Sequence, residues 1–152
     1  MELHVNPPKH RIAKGFFISA LLLPLMATAA SPSVRAEKPW MRYLLPNLPA
    51  AGYMVLQNAG SGAVVLTGAA SPACSTLMLH QSQDDSGMSM MMDVQNVTIP
   101  PQGSVSFAPG GFHLMCMQPK MKIGGKIPVT LQFQDGSSLD IVMQVYGPQG
   151  AP

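Results

Sequence analysis

The chain is poor in charged residues, aromatic residues and cysteine. Of its 152 residues, 11% are charged and 6% are aromatic, and only two are cysteine. The few acidic residues are scattered, so general acid–base catalysis by paired carboxylates is not supported. The sequence has no phosphate-binding loop and no dinucleotide fingerprint. Its lysines are not interleaved with aromatic residues, as they are in many nucleic-acid-binding surfaces. We therefore expect neither an enzyme nor a nucleic-acid partner.

The N-terminal segment has the pattern of a secretory signal peptide. A basic stretch at 1–14 precedes a largely apolar run at 15–30, and this run is shorter than the roughly 18 residues that favour a membrane-spanning helix. Two small-x-small sites follow, Ala27-Thr28-Ala29 and Val34-Arg35-Ala36. We expect cleavage after Ala36, which removes residues 1–36 and releases a periplasmic product with no membrane span. No cysteine directly follows the apolar run, so a lipidated N-terminus is not expected.

The remaining chain predicts an all-β fold. Short apolar stretches alternate with glycine- and proline-containing turns at intervals of about ten residues, which is typical of a β-sandwich. We expect an irregular lead-in at 37–51, one sandwich domain of about seven to eight short strands at 52–147, a frayed tail at 148–152, and a monomer. Asp135-Gly136 is the strongest hairpin signal. The predicted strands are 52–57, 63–68, 75–80, 94–99, 104–107, 112–117, 127–133 and 139–145.

Both histidines that follow the leader stand close to methionines. His80 precedes the cluster Met88, Met90, Met91 and Met92, and His113 is followed by Met115 and Met117. Side chains alternate along a strand, so His113, Met115 and Met117 should share one face, as should Met78 and His80. A lone methionine usually fills core space, but four in five residues beside a polar stretch at 81–87 are not typical of a core. We expected that stretch to be a loop.

Imidazole and thioether together form a donor set that suits monovalent copper. In an oxidising compartment a thiolate is readily lost to disulfide formation, whereas a thioether keeps its lone pair without deprotonation. The two cysteines, Cys74 and Cys116, are therefore expected to form a disulfide. The alternative is that one of their thiolates is a metal ligand.

The chain resembles the PCu(A)C-type periplasmic copper chaperones. Their pattern His-x10-Met-x21-His-x-Met is present at all four positions, and the stretches Leu48-Pro-Ala-Ala-Gly-Tyr53 and Pro109-Gly-Gly-Phe-His-Leu-Met115 are also similar. The resemblance implies a cupredoxin-like β-sandwich that binds Cu(I). It also implies delivery of copper to a respiratory acceptor, such as the binuclear copper site of cytochrome c oxidase, or to a partner copper chaperone. The ligands it implies are His80, Met91, His113 and Met115.

Three other functions remain open from the residues alone. An electron-transfer cupredoxin would need a cysteine thiolate with two histidines, and alternation directs Cys116 away from His113. A storage or detoxification protein would use similar ligands, and an exported interaction module would need no metal at all. A second, looser copper site or a transfer path could use the auxiliary methionines Met78, Met88, Met90, Met92 and Met117.

Overall fold

The computed structural model describes Met1, residues 33–85 and residues 87–152. Most of the predicted signal peptide lies outside these residues. The described residues form ten β-strands, and no helix among them is long and apolar enough to cross a membrane. The strands are β1 (Val34–Arg42), β2 (Ala50–Asn58), β3 (Val64–Ala70), β4 (Thr76–Asp85), β5 (Met88–Asp93), β6 (Val97–Ile99), β7 (Ser104–Phe107), β8 (Phe112–Met117), β9 (Lys126–Phe133) and β10 (Ser138–Tyr146).

The ten strands form a single curled sheet, so the predicted all-β class is confirmed. Their order is β5-β4-β8-β7-β2-β1-β10-β9-β3-β6, and β8 also pairs with β2. Only β1 with β10 and β7 with β8 run parallel. The sheet curls far enough for β3, near one end, to contact β4, near the other. The enclosed core is apolar; its largest fully buried side chains are Met41, Leu56, Leu66, Ile99, Leu114, Leu131 and Met143.

Each of the eight predicted strands overlaps an observed one, and β7 and β8 have the predicted bounds. The predicted hairpin at Asp135-Gly136 is confirmed: the Phe133 carbonyl accepts a hydrogen bond from the Gly136 amide, and Gly136 has φ of 83°. Asp135 accepts two hydrogen bonds from Ser137, from its hydroxyl and from its backbone amide. These bonds hold the pKa of Asp135 below its usual value.

The expected irregular lead-in at 37–51 is wrong, because most of β1 lies within it. β1 begins at Val34, pairs with β2 on one side and with β10 on the other, and is therefore internal to the sheet. Val34 itself is only 4% exposed. A register shift between Glu37 and Trp40 interrupts the pairing at Pro39, which has no amide hydrogen to donate. The proline that suggested an irregular segment is accommodated by a local irregularity of the strand.

The polar stretch at 81–87 was also wrongly predicted to be a loop. β4 extends as far as Asp85, and every residue of β5 pairs antiparallel with the second half of β4. Polar residues are compatible with strands here because β5 is an edge strand and both faces of this hairpin are accessible to solvent. The methionine cluster therefore lies on a strand with a defined register.

The cysteines form a disulfide across 42 positions of the sequence, with their Cα atoms 5.3 Å apart. β4 begins only at Thr76, so Cys74 is not bound by the alternation of that strand and can reach the core side. Cys116 is fully buried there beside Leu114. The tail also differs from expectation: the amide of Gly150 donates to the Gly147 carbonyl, and Gly150 packs against the Trp40 ring.

Candidate metal centre

The antiparallel pairing of β4 with β8 brings both histidines together. His80 lies directly opposite His113, and Met78 lies directly opposite Met115. Residues that face each other across two strands project to the same side of the sheet. The centroids of the His80 and His113 rings lie 5.7 Å apart. Two imidazoles and two thioethers therefore share one face of adjacent strands.

Met91 reaches the same face from β5. It pairs with Ser82, two positions along β4 from His80, so alternation gives Met91 and His80 the same orientation. Met91 is 62% exposed. Alternation places Met88, Met90 and Met92 on the opposite face. The register thus separates the methionine cluster into one residue near the histidines and three remote from them.

A concavity of about 440 Å³ lies over this face of the sheet. Met91, His113 and Met115 all line it. Its remaining wall is mostly apolar and includes Leu44 and Leu48, from the segment between β1 and β2. Both leucines are exposed large apolar residues. Three of the four ligands expected from the sequence therefore border a pocket that is open to solvent and has an apolar rim, and His80 is not among its lining residues.

The hydrogen bonding of His113 leaves one ring nitrogen available as a metal ligand. It is only 3% exposed, and its Nδ1 lies 3.1 Å from the Gly111 carbonyl oxygen. A carbonyl can only accept, so Nδ1 carries the proton and Nε2 keeps its lone pair. Burial lowers the pKa of His113 below its usual value, partly opposed by the Gly111 hydrogen bond. The ring is thus held neutral in the tautomer that leaves Nε2 free to bind a metal.

His80 has no comparable support from the protein. Neither of its ring nitrogens has a hydrogen-bond partner among the described residues, and both are shielded from solvent. Nε2 lies 2.7 Å from Oδ1 of Asp93, but the two groups are not aligned for a hydrogen bond, so we regard this as a close contact only. Buried nitrogens without partners are costly. A metal ion bound at His80 would satisfy one of them.

Arg42 and Tyr53 also line this pocket, although neither was expected from the sequence to be a site residue. Arg42 Nη2 donates to the Tyr53 hydroxyl over 2.8 Å, and its guanidinium lies 5.5 Å from the centre of that ring. Burial raises the pKa of Tyr53, although Arg42 opposes the shift. Tyr53 stands in the Leu48–Tyr53 motif noted above, which was a usable signal. Arg42 lies in the segment expected to be irregular, and nothing in its sequence context indicated a role.

The donor chemistry restricts which metal this face can hold. Among the described residues, no group of three or more histidine, cysteine, aspartate or glutamate side chains could bind a metal. The donors that share this face are imidazole nitrogen and thioether sulfur, a set that favours a soft ion. Cys116 cannot contribute, because its sulfur is bonded to Cys74 and it projects to the core. Met78 and Met117 also lie on the histidine face by register.

Solved structures similar to this chain contain the same kind of domain. One is described as the copper-bound PCuAC domain from PmoF2; it is 25% identical, with a TM-score of 0.65 over 81% of this chain and 100% of that chain. Another is the solution structure of CuI-DR1885 from Deinococcus radiodurans; it is 29% identical, with a TM-score of 0.59 over 78% of this chain and 79% of that one. These matches support the cupredoxin-like fold that the resemblance implied.

Comparisons of sequence give the family. A protein of Leifsonia xyli subsp. xyli (strain CTCB07), named "Putative lipoprotein Lxx21020", is 32% identical over 156 residues, covering 93% of each chain. The family described as "Putative lipoprotein LpqE-like" matches residues 34–145, from the first residue of β1 nearly to the end of β10. The chain therefore belongs to the LpqE-like family.

Proposed function

We propose that this chain is an exported Cu(I) metallochaperone whose ligands are His80, Met91, His113 and Met115. The observation that carries the proposal is the register of β5, β4 and β8, which gives these four side chains a common face. The shielded nitrogens of His80, which make no hydrogen bond among the described residues, and the fixed tautomer of His113 support it further. The solved structures of similar domains named above, one copper-bound and one with Cu(I), agree with this choice of metal.

The ligand set favours delivery over permanent retention. Neutral thioethers bind Cu(I) less tightly than thiolates, so an acceptor that offers thiolates can remove the ion. We propose a periplasmic location, a monomeric protein and no catalytic activity. The acceptor is a respiratory copper protein, such as the binuclear copper site of cytochrome c oxidase, or a partner copper chaperone.

Anaerobic titration with Cu(I) in competition with a chromogenic chelator tests the site. We expect the wild-type chain to retain copper against the chelator, with X-ray absorption showing mixed nitrogen and sulfur scattering. His113→Ala and Met115→Leu should each weaken retention at least about tenfold, which corresponds to about 1.4 kcal/mol. Met121→Leu is the matched control, because it removes a thioether that lies away from the pocket. Unchanged retention in both site variants, or an oxygen-only shell, would contradict the assignment.

A transfer experiment distinguishes delivery from storage. The Cu(I)-loaded chain is mixed with an apo acceptor domain that carries a thiolate-based binuclear copper site, and the two are then separated. We expect most of the copper to leave with the acceptor. Copper that stays on the loaded chain would indicate storage or detoxification instead. An electron-transfer site is not supported, because both cysteines of the chain are held in the disulfide and neither can supply a thiolate.

A further inference from the structure

Three methionines on β5 form a separate surface, which we call the outer strip: Met88, Met90 and Met92. They occupy alternate positions of one strand and therefore project to one face. This face is opposite to that of Met91, because Met92 pairs with Gln81 and Met90 with Gln83 while Met91 pairs with Ser82. The three consecutive methionines Met90, Met91 and Met92 thus contribute to two different surfaces.

The outer strip does not contribute to the core. Met88 is 68% exposed, Met90 is 50% exposed and Met92 is 39% exposed, whereas the core methionines Met41 and Met143 are fully buried. β5 is the last strand at its end of the sheet, so the edge beside the strip is open. Core packing therefore does not explain three methionines at these positions. Exposed apolar side chains at a sheet edge also favour aggregation, and leucine would do so as much as methionine.

Sulfur is the property that separates methionine from other apolar residues at this place. Adjacent members of the strip are about 7 Å apart at Cα, and each side chain has three rotatable bonds, so neighbouring sulfurs can converge on one ion. The residues paired with Met90 and Met92 are neutral glutamines, whereas Met88 pairs with the acidic Asp85 at the turn end of the strand. Two of the three strip positions therefore have neither a charge nor an imidazole opposite them. A cluster of uncharged thioethers suits Cu(I) and discriminates against Zn²⁺, Mg²⁺ and Ca²⁺.

We propose that the outer strip is a second Cu(I) site, formed by thioethers alone. It binds more weakly than the histidine-containing site because it lacks imidazole, and its greater exposure suits capture of Cu(I) from small complexes in solution. Binding at the strip does not depend on the proposed chaperone function, since it uses none of the four ligands assigned above. The strip and Met91 share β5, so a copper ion held at the strip lies next to the strand that also serves the first site.

The test compares two leucine variants in the full exported chain. Leucine is close to methionine in volume and lacks the sulfur. At exposed positions the replacement should leave the thermal midpoint of the apo protein unchanged. Cu(I), supplied anaerobically as its acetonitrile complex, is titrated into the wild type, the triple variant Met88→Leu/Met90→Leu/Met92→Leu, and Met91→Leu. We expect two equivalents in the wild type, with sulfur-only scattering from the weaker one. The triple variant should keep only the tighter equivalent.

Met91→Leu makes the two proposals separable. It should weaken the tighter equivalent at least about tenfold and leave the weaker one unchanged. If the wild type takes up one equivalent that Met91→Leu weakens, the outer strip is not a site and the chaperone proposal stands. If the only equivalent bound is lost in the triple variant, the strip is a site and the assignment of the first site fails. Two equivalents in the triple variant would overturn the inference.

Discussion

The two histidines receive very different support from the protein around them. His113 is fixed by the Gly111 carbonyl, which determines its tautomer before any metal arrives. Both nitrogens of His80 are shielded and make no hydrogen bond within the part of the chain that the structure describes, although the carboxylate of Asp93 lies in close contact. A metal that binds here therefore meets one preorganised ligand and one ligand whose desolvation it compensates. Each histidine offers the metal one nitrogen donor. Copper bound at His80 would in addition give a partner to a buried ring nitrogen that makes no hydrogen bond among the described residues.

Gly52 allows β2 to lie unusually close to its neighbour β8, the strand that carries His113. It pairs with Leu114 of β8, and a Cβ atom at this position would lie 3.1 Å from the Leu114 Cβ and 3.2 Å from the Met41 Cε. The Leu114 Cβ is attached directly to the backbone, so it cannot move away without moving β8. Overpacking of this kind typically costs about 1–3 kcal/mol.

We therefore predict that Gly52→Ala lowers the free energy of unfolding by about 1–3 kcal/mol, as measured by urea denaturation. Gly62→Ala is the control, because a Cβ there meets no atom within 4 Å. That variant should have a wild-type midpoint within about 0.5 kcal/mol. Equal stability of the two variants would show that the approach of β2 to β8 is less tight than the structure indicates.

Two kinds of bond hold β8 to the β4 region: a hydrogen-bonded ladder and a disulfide. Its ladder with β4 positions the site, and the disulfide joins its buried Cys116 to the loop before β4. On the chain-entropy account, a bridge across a loop of this length stabilises the fold by about 4 kcal/mol through restriction of the unfolded chain. The thioethers lie on the other face of the same strand, so the oxidised sulfurs stabilise the scaffold while the thioethers stay available.

We predict that Cys74→Ala/Cys116→Ala lowers the unfolding free energy by up to about 4 kcal/mol. Wild-type protein treated with a thiol reductant should shift in the same direction, and the double variant should not respond to the reductant. Urea midpoints with and without reductant provide the measurement. A wild-type midpoint that is insensitive to complete reduction, verified by thiol counting, would contradict a stabilising role.

β1 constrains where the leader can be removed. Cleavage after Ala36 would cut the strand and detach Val34, which is nearly fully buried, together with Ser33, whose hydroxyl donates to Asn58 over 2.7 Å. Cleavage after Ala29, a position outside the described residues, leaves all of β1 in the product. The burial of β1 therefore favours the sequence's other small-x-small site, with a start at Ala30, over the expected start at Glu37.

We predict that the exported protein has a mass corresponding to a start at Ala30. In addition, a chain that starts at Glu37 should be less stable than one that starts at Ala30 by at least about 2 kcal/mol, mainly from the lost burial of Val34. Mass spectrometry of the secreted product and urea unfolding of the two chains check these statements. A secreted product that begins at Glu37 and unfolds at the same urea concentration would disprove this boundary.

In the whole molecule, the candidate site draws on distant parts of the chain. Its proposed ligands come from β4, β5 and β8, and part of its pocket wall comes from the segment after β1. The unfolded chain cannot assemble this set, so copper should bind the folded state preferentially. A ligand present at 100 times its dissociation constant stabilises a folded protein by about 2.7 kcal/mol.

We accordingly predict that Cu(I) raises the thermal unfolding midpoint of the wild type under anaerobic conditions. The shift should be much smaller for Met115→Leu, and it should persist in the Met121→Leu control. Differential scanning calorimetry with and without Cu(I) measures it. An equal rise in the Met115→Leu variant would mean that stabilisation arises from copper bound elsewhere.

Much of this protein was determined by sequence alone. Alternation and turn residues predicted eight of the strands, because both depend on local order along the chain. The motif shared with the PCu(A)C-type chaperones implied the candidate ligands His80, Met91, His113 and Met115. The tertiary structure decided the rest. The register of β5 against β4 separated Met91 from the outer strip, and pairing on both sides made β1 an internal strand. The Gly111 carbonyl fixed the tautomer of His113. These properties depend on which strands become neighbours, and hydrogen bonding between distant segments cannot be read from local patterns.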